Sequence, residues 1–161
     1  MYFEQQAKLF CGIHAINNVL GDRIVDDKAM KRACEQMLKT VSIHEDEKDI
    51  KDFVSSSGDY DVSVLIFWLH SHGYHVEMIH DVQGRYPASS NTIGFIFNHG
   101  VHGNNHYTCL KRARPGVYVA MDSMKCSPGP YYHSFRHYIQ NHPNMNIALH
   151  IRYQNNAFLI D

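Results

Sequence analysis

The dominant spacing of apolar residues changes close to Gly73. Before that glycine, apolar residues recur at helical intervals, and after it most of them form short runs typical of β-strands. A chain whose helices and strands are segregated in this way is expected to form an α+β domain. At 161 residues, one such domain can bury a core without disulfides. We therefore expect a single α+β domain over residues 1–161.

Capping residues mark three helices in the first half of the chain. The first begins near Cys11 and closes at Gly21, the second follows a cap at Asp26 or Asp27, and the third runs from Asp61 to Gly73. Residues 39–59 are charged and then serine-rich, without clear periodicity. We expect a partly helical or mobile excursion there.

Strands dominate the second half. The predicted strands are Tyr74–Ile79, Thr92–Asn98, His106–Arg112, Val117–Met121 and Asn146–Tyr153. A last helix is expected to start at Pro130 and to carry Phe135, Tyr138 and Ile139. Residues 154–161 form a tail.

Composition excludes several classes of function. Fifteen basic and sixteen acidic residues nearly cancel, which argues against nucleic acid or an anionic membrane as the main partner. No apolar run is long enough to span a bilayer, and no secretory signal is visible. The four cysteines are widely spaced, so we expect free thiols. We expect a monomer. We expect it to be located in the cytoplasm, with the nucleus as a further compartment.

The N-terminal segment predicts a nucleophile. Cys11 stands where the first helix begins, and the positive end of the helix dipole favours thiolate over thiol. Gln6, five residues upstream, can direct a side-chain N–H at the oxyanion that forms when the thiolate attacks a carbonyl. These are two parts of a cysteine-protease site.

A predicted hairpin supplies a base and its partner. Residues 113–116 form a turn, and folding about it brings His106 opposite Asp122 or Ser123. A carboxylate there can accept the imidazole Nδ1–H and leave Nε2 to face the thiol. The chemistry requires no metal or other cofactor.

Several motifs then resemble those of the Josephin-type deubiquitinases, which are papain-like cysteine proteases. The opening Phe3-Glu4-x-Gln6-x4-Cys11-x2-His14-Ala15-x-Asn17-Asn18 is similar to the family's catalytic block, with Phe3 where histidine is usual. Gly58–Val64 resembles a Gly-Asn-Tyr-Asp-Val-Asn-Val segment, and Asn91–Asn98 resembles the strand that follows. His106-Tyr107 takes the place of a His-Trp pair, and Met121-Asp122-Ser123 that of a Leu-Asp/Asn-Ser segment.

The resemblance implies a papain-like α+β fold and hydrolysis of isopeptide or peptide bonds after the C-terminal glycine of ubiquitin. Ubiquitin and its conjugates are the implied partners. It implies Cys11 as nucleophile, His106 as base, Asp122 as third member and Gln6 in the oxyanion hole. These four residues are the ones that the chemistry above singles out. By the same resemblance, residues 39–59 correspond to an arm that gates substrate access.

Other residues have both a functional and a packing interpretation. Tyr107 stands where the family has tryptophan, beside the cleft for the substrate tail, and is a candidate substrate contact. Trp68 is a second candidate, although core or boundary packing is the default for a tryptophan beside an apolar helix face. His14 could be mistaken for the base of Cys11, but a structural hydrogen bond is the preferred interpretation. Structural roles are also preferred for Asn17 and Asn18.

Three alternatives remain. His133 and His137, spaced i, i+4, and the set His99, His102 and His106 suggest metal binding, but neither has a nearby cysteine pair or an H-E-x-x-H glutamate. A peptidase of the bacteriocin-leader-processing type has a similar Gln and Cys-Gly spacing. A ubiquitin-binding pseudoenzyme would keep the surface without turnover.

Overall fold

The computed structural model describes residues 1–6, 10–41, 52–54, 60–84, 89–99, 106–145 and 147–154. The helices are α1 (Cys11–Leu20), α2 (Asp27–Val41), α3 (Val62–Ser71) and α4 (Phe135–Gln140). The strands are β1 (Tyr74–Ile79), β2 (Thr92–Asn98), β3 (Tyr107–Arg114), β4 (Val117–Met121), β5 (Tyr131–Tyr132) and β6 (Ile147–Tyr153).

Within these ranges the strands form one antiparallel sheet in the order β1-β6-β2-β3-β4-β5. The C-terminal strand β6 lies between β1 and β2, so the end of the described chain is held inside the sheet. Side chains alternate between two cores, because successive strand residues point to opposite faces. Ile96 packs with the residues of α1, α2 and α3, whereas its neighbours Phe95 and Phe97 pack with α4. The predicted α+β architecture is confirmed.

Helix α1 lies on the sheet against β2 and β3. Its buried residues include Ile13, Ile16 and Val19, which follow helical spacing and fill the larger core. Gly94 of β2 lets the helix come close, since a Cβ at this glycine would lie 2.5 Å from Val19 Cγ2. The start of α1 is thereby fixed relative to the start of β3.

The predicted helix boundaries follow from capping. Gly21 takes a left-handed φ of 81° after α1, which glycine adopts without steric cost. Asp26 Oδ1 accepts the Ala29 N–H at 2.8 Å before α2, and Asp61 Oδ1 accepts the Ser63 N–H at 2.9 Å before α3. These predictions are confirmed.

Two predictions about the second half are wrong in detail. Strand β3 continues to Arg114, so only Pro115 and Gly116 form the turn. The last helix begins at Phe135 rather than at Pro130, because Tyr131 and Tyr132 pair with β4 as a short edge strand. Ser134 is the actual cap, and its hydroxyl accepts the His137 N–H at 3.0 Å.

Most of the predicted arm lies outside the described residues. Helix α2 ends at Val41, and residues 52–54 and 60 are described on the far side, where Val54 forms a bridge with Tyr60. The tail beyond residue 154 is likewise outside the described part. No helix in the described ranges is long and apolar enough to cross a membrane.

Candidate active site

Cys11 is the first residue of α1, as predicted. Phe10 occupies the N-cap position, and within the described ranges no side chain caps this helix end and no acidic residue lies in its first turn. The first N–H groups of the helix are therefore not taken by a capping carboxylate or hydroxyl. Cys11 is not part of a disulfide and is only 2 % exposed.

Packing next to Cys11 brings the start of α1 into contact with the start of β3, which follows His106. A Cβ added to Gly12 would lie 3.4 Å from Tyr107 Cδ2 and 3.2 Å from a methyl of Leu65. The residue after the cysteine therefore touches the residue after His106. Glycine at this position allows α1 to approach β3 at the point where His106 leads into the strand.

His106 and Asp122 form a pair, but through a different nitrogen from the one predicted. His106 Nε2 lies 3.2 Å from Asp122 Oδ1, and both side chains are about one-quarter exposed. The prediction that Nδ1 faces the carboxylate is wrong. Nε2 is the nitrogen that can donate to Asp122, so Nδ1 remains to exchange a proton with a thiol.

The register of the β3–β4 hairpin also differs from the prediction. Cys109 pairs with Met121, and a register shift lies between Arg112 and Arg114. Continuing this pairing places Thr108, not His106, directly opposite Asp122. His106 reaches Asp122 diagonally, which long side chains on one face of a sheet can do. The offset arises because the strands pair up to Arg114 and Val117 across a two-residue turn, and the extra residue in β3 compensates for only part of it.

Asp122 is oriented by the turn that follows it. Its Oδ1 accepts the Met124 N–H at 3.0 Å, and its carbonyl accepts the Lys125 N–H at 2.9 Å. An Asx-type turn of this kind fixes the carboxylate oxygen that faces His106.

Gln6 is held beside Asp122 by Ser123. The Gln6 backbone N–H donates to the Ser123 carbonyl at 2.6 Å, and Ser123 Oγ donates to Gln6 Oε1 at 3.2 Å. The segment before Cys11 is thus tied to the segment that carries the partner of His106. All four predicted catalytic residues lie on segments that the structure joins: Gln6, Cys11, His106 and Asp122.

His14 and the two asparagines anchor the N-terminal segment to α1. His14 Nδ1 and Asn17 Nδ2 contact Glu4 Oε1 at 2.6 and 2.9 Å. Asn18 Oδ1 accepts the Glu4 N–H at 2.6 Å, and its Nδ2 donates to the Glu4 carbonyl at 3.2 Å. The Tyr2 hydroxyl also bonds Glu4. Burial opposes ionisation of Glu4, but the hydrogen bonds from His14, Tyr2 and Asn17 outweigh it and lower the pKa of Glu4.

His99 is a neighbour of the base that sequence reasoning considered only as a metal ligand. Its N–H donates to the His106 carbonyl at 2.7 Å, its Nε2 lies 2.6 Å from Thr108 Oγ1, and its ring centroid lies 5.6 Å from that of His106. Burial, together with the charge of His106, lowers the pKa of His99. Asn98 pairs with Tyr107, and the next residues beyond the ends of the two strands are His99 and His106. A correct β2–β3 register would therefore have predicted that the two histidines are neighbours.

The two candidate substrate contacts have packing roles in this structure. Tyr107 is 1 % exposed, and its hydroxyl donates to the Tyr60 carbonyl at 2.9 Å. Trp68 is 2 % exposed and stacks on His72 with ring centroids 4.0 Å apart. Such burial leaves almost no ring surface for a substrate to contact, so the core interpretation is favoured for both.

The histidine pair suggested for metal binding is not a helical i, i+4 pair. His133 precedes the Ser134 cap, and its N–H donates to His137 Nδ1 at 3.3 Å, so the bond occupies a lone pair that a metal would need. His102 lies outside the described residues. No group of three or more histidine, cysteine or acidic side chains suited to a metal ion occurs in the described ranges.

The family model for Josephin matches residues 6–144. The chain belongs to the Josephin family. The match includes every predicted catalytic residue and the four helices of the described ranges. No curated protein gave a match.

Membership of the Josephin family has direct consequences. Josephin proteins are deubiquitinases of the cysteine-protease type and bind ubiquitin, and their fold is the papain-like α+β fold. In this Josephin domain, Phe3 takes the place of the usual histidine and packs, half-buried, against the larger core. The packing of Phe3 against the core acts together with the hydrogen bonds of Glu4 to hold the N-terminal segment on α1.

Proposed function

We propose that this chain cleaves ubiquitin from its conjugates, at isopeptide or peptide bonds after the C-terminal glycine, with Cys11, His106, Asp122 and Gln6 as the catalytic residues. The observation that supports it best is the His106–Asp122 pair at 3.2 Å, joined by Ser123 to Gln6 just before the cysteine helix. A nucleophile, a base with its orienting group, and an oxyanion donor are the parts that acyl transfer requires.

In the proposed first step, the Cys11 thiol gives its proton to His106 Nδ1, and the thiolate attacks the carbonyl carbon of the terminal glycine. The negative charge that develops on the carbonyl oxygen is stabilised by Gln6 Nε2–H and the Cys11 backbone N–H. Nδ1–H of the imidazolium then protonates the leaving amine as the C–N bond breaks. A thioester between ubiquitin and Cys11 remains.

In the second step, His106 Nδ1 accepts a proton from a water molecule, and the oxygen attacks the thioester carbon. The C–S bond breaks, and the proton held on His106 returns to the sulfur. Throughout, Asp122 accepts from Nε2–H, which keeps the imidazole in one tautomer and stabilises its charged form. All protons and bonds are accounted for by these residues and water.

The direct test is cleavage of diubiquitin and of ubiquitin with an amide-linked C-terminal reporter. Wild-type protein is expected to release free ubiquitin, and Cys11→Ala is expected to release none. Cys126→Ala removes an exposed thiol and is the matched control, with activity expected to equal wild type. Equal cleavage by the Cys11→Ala variant would overturn the proposal.

The low exposure of Cys11 favours one second candidate, a ubiquitin-binding pseudoenzyme. A covered thiol would allow binding without turnover. The two candidates differ in single-turnover chemistry, because only the enzyme forms a thioester with ubiquitin. Denaturing electrophoresis without reductant, after acid quenching, detects that thioester.

A further inference from the structure

Ser123 contacts the proposed oxyanion donor at two points. Its carbonyl accepts the Gln6 backbone N–H at 2.6 Å, and its hydroxyl donates to Gln6 Oε1 at 3.2 Å. The serine is 3 % exposed, so water has little access to compete for these bonds. Both the main chain and the side chain of Gln6 are therefore held by one buried residue.

The side-chain bond determines which end of the Gln6 amide faces the reaction. Ser123 Oγ holds the amide oxygen, so the NH2 end is the end left to donate elsewhere. A donor stabilises a developing oxyanion, whereas an amide oxygen in the same position would repel it. Loss of the hydroxyl would free the amide to rotate between these two orientations.

The hydroxyl is not needed to form the turn in which Ser123 lies. That turn is closed by the Met124 and Lys125 N–H groups, which donate to Asp122 Oδ1 and to the Asp122 carbonyl. The side chain of Ser123 is thus available for a separate task.

We infer that Ser123 is a positioning residue for the oxyanion hole: its hydroxyl orients the Gln6 amide so that Nε2–H points to the oxyanion. This inference rests on the proposed function. Asp122 then orients the base, His106, and the adjacent Ser123 orients the oxyanion donor, Gln6.

Steady-state cleavage of ubiquitin with an amide-linked reporter tests the inference. Ser123→Ala is expected to lower kcat about 3- to 10-fold, the usual effect of one neutral hydrogen bond, with KM unchanged. Ser123→Thr keeps a hydroxyl and is expected to restore kcat. Ser127→Ala, an exposed serine of the same loop, is the control and should match wild type.

A double-mutant cycle separates positioning from general stability. Gln6→Ala alone is expected to lower kcat about 100- to 1000-fold. In that background, Ser123→Ala should cause no further loss, because no amide remains to orient. If the two losses multiply, Ser123 acts independently of Gln6 and the inference is wrong.

An NMR measurement keeps this inference distinguishable from the proposed function. The side-chain NH2 signals of Gln6, assigned by their loss in Gln6→Ala, should shift and exchange faster with solvent in Ser123→Ala than in wild type. Unchanged signals would overturn the positioning role even in an active enzyme. If wild-type protein cleaves no ubiquitin substrate, the proposed function fails, and these signals alone decide whether Ser123 orients the amide.

Discussion

His106 Nε2 lies 3.2 Å from Asp122 Oδ1, and the Met124 N–H donates to that same oxygen at 3.0 Å. One backbone N–H donates to this oxygen and one imidazole nitrogen lies close to it, so two neighbours mark the position that an acceptor must take. On the proposed function, we expect the placement of this oxygen to be the main contribution of Asp122.

We therefore predict a large difference between two substitutions of Asp122. Asp122→Asn keeps an oxygen that the Met124 N–H can hold in place, so kcat/KM should fall by no more than about tenfold. Asp122→Ala removes the acceptor and should cost about 100-fold or more, because the base loses its orientation. Steady-state kinetics of ubiquitin cleavage decide this, and equal losses in both variants would show that charge alone matters.

Asn17 is predicted to be a determinant of stability rather than of catalysis. Its amide joins four groups: the Ile24 and Val25 N–H groups, the Val25 carbonyl and Glu4. Asn17→Ala leaves buried donors and an acceptor without partners, and the free energy of unfolding should fall by about 2–3 kcal/mol. Urea denaturation measures this.

The control for Asn17 is Asn141→Ala. Asn141 is exposed, and its amide makes one helix-end bond to the His137 carbonyl. A change within about 0.5 kcal/mol is expected there. If Asn17→Ala is as mild as the control, the network around Glu4 does not stabilise the fold.

His99 is predicted to make stability depend on pH. Its pKa is lowered in the folded state, so the unfolded chain binds a proton at a higher pH than the folded chain does. The free energy of unfolding should therefore decrease as the pH falls below about 6.5, the ordinary histidine value. His99→Gln lacks this titration and can still donate to Thr108.

Urea denaturation at pH 7.5 and 5.5 checks this prediction. The loss of stability on acidification should be smaller in His99→Gln than in wild type. An identical loss in both proteins would mean that His99 is not the group responsible.

The sequence predicted the helix starts and the position of the turn of the site well, because each depends only on residues close together in the chain. A cysteine at a helix start, capping aspartates and a Pro-Gly turn each specify backbone geometry within a few residues. The β3–β4 register was missed because the strands pair up to Arg114 and Val117, so the turn has two residues rather than the predicted four. The irregularity between Arg112 and Arg114 compensates for only one residue of that difference. The observed register places Thr108, rather than His106, directly opposite Asp122.

Burial was harder to predict than local structure. Tyr107 was a candidate substrate contact because it stands where the family has tryptophan, beside the cleft for the substrate tail. Successive strand residues face opposite sides, however, and Tyr107 points into the core beside Gly12. The Ser123–Gln6 contact joins residues far apart in sequence and could be found only once the chain was folded.

The most direct test of the central claim is reaction with ubiquitin that carries an electrophile at its C-terminus, followed by intact mass measurement. The account predicts a one-to-one adduct with wild-type protein and with Cys126→Ala, and no adduct with Cys11→Ala. This pattern would identify the buried Cys11, rather than the exposed Cys126, as the thiol that ubiquitin recognition brings to the electrophile. No adduct with wild-type protein, or an adduct that survives Cys11→Ala, would contradict the account.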